Sequence, residues 1–93
     1  MIKSWKNRDS QRLYEEGRGT KFRGMEADTA QELLVVLNAA TSLTDLSPLK
    51  SIGLHKLKGD RKKQWAMTIN GPWRVCFRFH DGDAYDVEIT NYH

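Results

Sequence analysis

The chain has 93 residues, enough for one small domain with its own core, spanning residues 1–93, and too few for two. Charged residues make up 29% and hydrophobic residues 39%, a globular balance rather than a disordered one, and no apolar run approaches the roughly 18 residues that a membrane span needs. The formal net charge is only +3, and the single cysteine, Cys76, excludes an intrachain disulfide.

No signal-peptide pattern opens the chain, so a cytoplasmic location is expected. Met1 to Trp5 reads as a short edge strand, with Trp5 in the core. Asp9 to Glu16 reads as a short helix that Asp9 or Ser10 can cap and Gly17 ends. Arg18 to Gly24 is a basic, glycine-containing loop. The main helix is expected over Asp28 to Thr41, with Thr29 and Glu32 forming a capping box. Ala30, Leu33, Leu34 and Leu37 have helical spacing and would cover a sheet. Val35, Val36 and Ala39 widen that stripe, either as more core or as a surface for a partner chain. A tight turn falls within Leu43 to Leu49, ending near Pro48. Leu54 to Lys58 is a short strand or a bridge into the sheet, and Gly59 to Lys63 a charged turn.

Three alternating stretches follow: Gln64 to Asn70, Trp73 to Phe79 and Ala84 to Thr90. Side chains in a strand switch face at every residue. Trp65, Met67, Ile69, Trp73, Val75, Phe77, Phe79, Tyr85, Val87 and Ile89 then fall on one face. The pattern also selects a register. A two-residue loop at Asp81-Gly82 would set Phe77 against Asp86, whereas a three-residue loop, Asp81 to Asp83, sets Phe77 against Val87. The same test favours Asn70-Gly71-Pro72 as a three-residue loop, with Met67 against Val75. A slip of one residue would turn a whole apolar row to the wrong side, so the matched register is expected. Thr68, Arg74 and Thr90 then lie side by side on the second face, with Tyr92 diagonal to them if the strand continues. A strand, two helices and an antiparallel sheet make a two-layer α+β fold.

Charge is segregated along the chain. Between Lys50 and His80 stand Lys50, Lys56, Lys58, Arg61, Lys62, Lys63, Arg74 and Arg78, against Asp60 alone. Such a stretch suits a polyanion, above all nucleic acid, or else is a solvated face. No phosphate loop, dinucleotide fingerprint or zinc spacing occurs, and no cofactor or metal is expected. Cys76 reads as a small strand residue. What remains is a basic and aromatic set: His55, Lys58, Arg74, Tyr92 and His93. In RNA cleavage the 2′-hydroxyl loses a proton, the phosphorane needs cations and the 5′-oxygen gains a proton. Histidine moves protons near neutral pH, arginine and lysine stabilise phosphoryl charge, and an aromatic ring stacks on an unpaired base. On residue types alone this supports a basic α+β domain suited to RNA.

Leu54-His-Lys-Leu-Lys-Gly-Asp60, Trp65, Gly71-Pro-Trp-Arg-Val-Cys-Phe77, Gly82-Asp-Ala84 and Asn91-Tyr-His93 resemble the motifs of the HigB toxins. These are RelE-like proteins, also described as plasmid maintenance killer proteins. Met1-Ile-Lys-Ser-Trp5 and Asn38-Ala-Ala-Thr41 before Asp45-Leu46 fit the same layout, so the resemblance spans essentially the whole chain. It implies a RelE-like fold and a metal-independent, ribosome-dependent endoribonuclease that cuts messenger RNA. It also implies a HigA-type helix-turn-helix antitoxin, which binds operator DNA. His55 and Lys58 match the family's LH-x-LK residues, Arg74 its N-W-R arginine, and Tyr92 and His93 its terminal pair. The resemblance gives proton transfer to His93, acid-base help or phosphate placement to His55, phosphorane stabilisation to Arg74, added charge to Lys58 and nucleotide contact to Tyr92. Lys56, Arg61, Lys62, Lys63 and Arg78 are candidate RNA-binding residues around this set.

Two positions depart from the family pattern. Asn91 stands where the terminal motif has Asp, and Pro72 stands where an Asn precedes the tryptophan. Strand parity also sets His55 and Lys58 on opposite faces, so the backbone is expected to curve or leave the sheet at Lys58-Gly59. Two rival readings are a RelE-fold toxin that acts on DNA gyrase, and a non-catalytic RNA-binding or partner-binding domain.

Overall fold

In a computed structural model, which describes residues 1–17, 21–46, 53–61 and 63–91, two helices pack on one antiparallel sheet. The helices are α1 (Arg8–Glu16) and α2 (Ala27–Ala39). The strands are β1 (His55–Lys56), β2 (Trp65–Asn70), β3 (Trp73–His80) and β4 (Asp83–Asn91), adjacent in chain order. This is the expected α+β architecture, consistent with a RelE-like fold. Ala30, Leu33, Leu34 and Leu37 of α2 join Met67, Ile69, Val75, Phe77, Val87 and Ile89 of the sheet in one buried core. Trp65, Trp73 and Phe79 pack against it, partly buried.

Both hairpins keep the matched register, but neither has the expected three-residue loop. His80 pairs with Asp83, so the second turn is only Asp81-Gly82. Both of its residues have positive φ, 49° and 82°, as a type I′ turn requires. Gly82 also meets the carbonyl oxygen of Thr41, which a Cβ would approach to 3.1 Å. Phe79 faces Ala84 and Arg78 faces Tyr85, and then the register shifts, so that Cys76 faces Glu88 and Val75 faces Ile89. The shift is a β-bulge at Asp86, whose φ is 52°. Its backbone N–H leaves the ladder and donates to Ser4 Oγ at 2.8 Å. The first hairpin repeats the device. Asn70 pairs with Trp73 across Gly71-Pro72, and a shift between Thr68 and Asn70 restores Met67 against Val75. One residue is therefore absorbed by a bulge instead of by the loop. Tyr85 lies on the turn side of the Asp86 bulge, so it shares the face of Arg78 and not the core face expected for it.

Other expectations shift by tertiary contacts. The cap of α1 is Asn7, whose side chain accepts from Ser10 N at 2.9 Å. Ser10 is fully buried instead, and its Oγ accepts from Ile89 N at 2.9 Å. Helix α2 begins at Ala27, ahead of the expected capping box, and Thr29 lies inside it. The side chain of Asn70 fixes that start: its Oδ1 accepts from Glu26 N and its Nδ2 donates to Gly24 O. Trp73 Nε1 donates to Arg23 O beside it. Val36 packs partly on the core, but Val35 and Ala39 are exposed. The N-terminal stretch pairs as expected with the sheet edge, through parallel bridges from Ile2 to Ala84 and from Trp5 to Val87. Trp5 is half-buried against Tyr14. A 3-10 turn covers Leu43–Asp45, and the remainder of that expected turn lies outside the described residues, as does part of the Arg18 to Gly24 loop. Among the described residues no helix is long and apolar enough to cross a membrane.

Candidate active site

The second face of the sheet carries two of the residues singled out for chemistry, His55 and Arg74. Thr68 pairs with Arg74 and Arg74 with Thr90, giving the expected row of three. Strands lie about 4.8 Å apart, so this row spans roughly 10 Å. The next row toward the β3–β4 turn runs His55, Ala66, Cys76, Glu88. His55 thus sits on the same face as Arg74, two strands across and one row along. By the same spacings their Cα atoms stand roughly 12 Å apart.

His55 is exposed at the sheet edge, where only two residues of the expected Leu54 to Lys58 strand pair with β2. Its Nδ1 lies 3.0 Å from the carbonyl oxygen of Gly53. A carbonyl has no proton to give, so in this contact Nδ1 carries the hydrogen. Gly53 itself has φ 62°, and a Cβ there would come within 3.0 Å of Thr68 Oγ1. That close approach brings the segment before His55 onto the row of Arg74.

Arg74 is half-buried, and one of its terminal nitrogens donates to Gly71 O at 2.6 Å and to Trp73 O at 2.9 Å. Two backbone carbonyls of its own turn thus orient the guanidinium. Among the described residues no carboxylate lies within ion-pair distance of it. Asp86 and Glu88, the natural candidates, are held by other cations. Arg78 Nε donates to Asp86 at 2.9 Å. Glu88 is 7% exposed and takes Lys6 at 3.4 Å and Arg61 at 3.8 Å. The Lys6 contact is ionic only, since among the described residues Glu88 Oε2 has no aligned hydrogen-bond donor.

Lys58 is exposed just past β1. The chain leaves the sheet there, as parity demanded: Leu57 N still donates to Gln64 O, and a 3-10 turn follows at Gly59–Arg61. Lys56 and Lys63 are exposed, Arg78 is exposed with Asp86 on it, and Arg61 is half-buried between Gln64 and Glu88. Lys62, Tyr92 and His93 lie outside the described residues.

Two residues of this face escaped the sequence reading. Glu88 is the buried anchor that draws Lys6 and Arg61 together, which its place in an alternating strand does not reveal. Tyr85 arrives beside Arg78 because of the two-residue Asp81-Gly82 turn, and the Asp-Gly dipeptide was its available signal. Leu57, Ala66 and Cys76 form a small buried cluster under the face. Burial pushes the Cys76 thiol up from 9.0 to about 11, so it is a packed neutral group and no nucleophile at neutral pH. No His, Cys, Asp or Glu cluster suited to a metal occurs among the described residues.

The model of a family described as the RelE-like toxin of the type II toxin–antitoxin system HigB matches residues 3–93. A curated protein of Proteus vulgaris, Endoribonuclease HigB, is 34% identical over 93 residues, covering all of both chains.

Proposed function

The chain belongs to the HigB-like family of RelE-like toxins of type II toxin–antitoxin systems, and on that premise we propose that it is a ribosome-dependent endoribonuclease. It cuts translated messenger RNA and so stops protein synthesis. The similar Proteus vulgaris protein carries the name of an endoribonuclease, which supports the reaction class. A type II toxin implies an antitoxin. The partner proposed is a HigA-type helix-turn-helix protein, through which the pair reaches operator DNA. The toxin acts in the cytoplasm, where the ribosomes are, as one domain over residues 1–93.

One observation carries the catalytic reading: the Arg74 guanidinium is oriented by Gly71 O and Trp73 O on the open face, with no described carboxylate paired to it. A planar cation held in this way suits phosphoryl oxygens. In the proposed reaction the 2′-oxygen attacks the adjacent phosphorus and the bond to the 5′-oxygen breaks. The 2′-hydroxyl proton goes to a base and a proton is returned to the departing oxygen. Arg74 and Lys58 stabilise the charge on the phosphorane. His93 moves protons, with Nε2 of His55 assisting, and Tyr92 contacts the nucleotide. In this reading the scissile step lies between His55 and Arg74. Such a site holds phosphate but does not order a flexible strand, and the ribosome supplies that order.

The test is cleavage on purified ribosomes programmed with a defined message, beside the same message free in solution and a gyrase supercoiling assay. Cuts within ribosome-held message, slow cutting of free RNA and normal supercoiling are expected. Loss of supercoiling, or equally fast cutting of free and ribosome-held RNA, contradicts the reading.

A further inference from the structure

At the other end of the open face, beside the β3–β4 turn, lies a groove that the proposed chemistry does not use. It encloses about 450 Å³ and is lined by Lys63, Arg78, Phe79, His80 and Tyr85. That volume lies within the range of small-molecule sites. Arg78 and Tyr85 are directly opposite each other on adjacent strands, so a cation and an aromatic ring stand side by side. The bulge at Asp86 makes this pairing, because without it Tyr85 would turn to the core. The groove runs on past Lys63 and Arg78 into a second hollow of about 390 Å³ beside Gly59, Asp60 and Arg61.

The charges here are mixed. Arg78 uses Nε for Asp86, and among the described residues nothing takes its two terminal nitrogens. His80 lies 3.1 Å from Asp81, on a side chain that is 84% exposed. A purely electrostatic polyanion track would not carry two carboxylates at its rim. An aromatic wall with one cation beside it and another at the mouth suits a different ligand: a flat base with its own phosphate attached. Stacking on tyrosine accepts any base, and the guanidinium edge takes the phosphate.

We propose that this groove is a second RNA subsite, in which Tyr85 stacks an unpaired base and Arg78 and Lys63 hold the neighbouring phosphate. The subsite rests on the reading that this chain acts on RNA. Arg74 and Arg78 are four residues apart on one strand, about 13 Å, so the bound nucleotide lies outside the cleaved step. The ligand chemistry is that of an unpaired nucleotide, whether from the message or from ribosomal RNA.

Binding is measured with a fluorescent, unstructured 2′-O-methyl oligoribonucleotide, which lacks the attacking hydroxyl and cannot be cut. Tyr85→Ala should weaken binding about tenfold, while Tyr85→Phe, which keeps the ring, binds like the parent. Arg78→Ala, a variant off the core, should weaken binding several-fold and flatten its salt dependence. The same variants are titrated against vacant and message-programmed ribosomes. Weakening on programmed ribosomes alone identifies the message as the source, and weakening on vacant ribosomes identifies ribosomal RNA. On programmed ribosomes, Tyr85→Ala should raise the toxin concentration for half-maximal cleavage and leave the saturated rate unchanged. Parent-like binding of both Tyr85→Ala and Arg78→Ala to all these RNAs overturns the subsite and leaves the catalytic reading standing. Tyr85-dependent RNA binding by a parent that cuts nothing does the reverse. Equal binding of poly-glutamate in place of RNA also overturns it.

Discussion

Along β3, Val75 and Phe77 are fully buried against the helices, while Arg74 and Arg78, one residue to either side, stand on the opposite face. The two faces are built from the same strands by alternate residues, yet they obey different physics. The core face is continuous and apolar, and its members are interchangeable only at a cost in packing. The open face has a small apolar patch, Leu57, Ala66 and Cys76, surrounded by groups that hold one another by charge and hydrogen bonds. Substitutions on the first should therefore move stability, and those on the second should move activity. The bulge at Asp86 is what lets one strand serve both, by turning Tyr85 outward and leaving Val87 inward.

The sharpest break in that division is Phe77→Ala. Deleting this ring from a fully buried site should cost about 3–5 kcal/mol, a large share of a small domain's stability, by urea unfolding. Arg78→Ala, next along the chain, removes only an exposed pair with Asp86 and should cost under about 1 kcal/mol in the same experiment. An effect between these two tests how the edge of the sheet is closed. Ser10→Ala leaves the Ile89 N–H without its partner in a buried place and should cost about 1–3 kcal/mol. Faster hydrogen exchange at Ile89, with the β2–β3 amides unchanged, would place the loss at that edge.

A pH-dependent effect concerns the apolar patch beneath the open face. Burial raises the Cys76 thiol in the folded chain above its ordinary 9.0, to about 11. The unfolded chain therefore loses this proton first. Stability from this group is complete below pH 9 and declines as pH rises toward about 11. Cys76→Ala should flatten that part of the stability profile, and iodoacetamide should label the parent only as it unfolds.

What the sequence reveals follows the same division. Alternation exposes the core face, because a single slip would turn every apolar side chain outward, and the strand pairings around Met67, Val75 and Ile89 follow from it. Loop lengths do not follow, because a bulge absorbs one residue without disturbing the rows beyond it. Helix α2 shows a second limit. Thr29 and Glu32 have capping-box spacing, but the side chain of Asn70, far along the chain, holds Glu26 and starts the helix earlier. Ser10 was legible as a cap and serves the sheet instead. On the open face, the row of Thr68, Arg74 and Thr90 was readable from register. The carbonyls that hold His55 and Arg74 were not, since each depends on a local turn. Val35, one of three residues that widen the expected stripe, is exposed because α2 offers the sheet only its Ala30, Leu33, Leu34 and Leu37 side.

The most direct test of the division is single-turnover cleavage on programmed ribosomes by Arg74→Ala, with thermal unfolding of the same preparation. Arg74 stands on the face opposite the core, and its bonds to Gly71 O and Trp73 O lie within one turn. The variant should unfold like the parent and cleave about 10²–10³-fold more slowly, the loss of one oriented donor to the transition state. Parent-rate cleavage by a variant with lowered thermal stability would contradict the account, making Arg74 a structural residue and removing the reason to place chemistry on the open face.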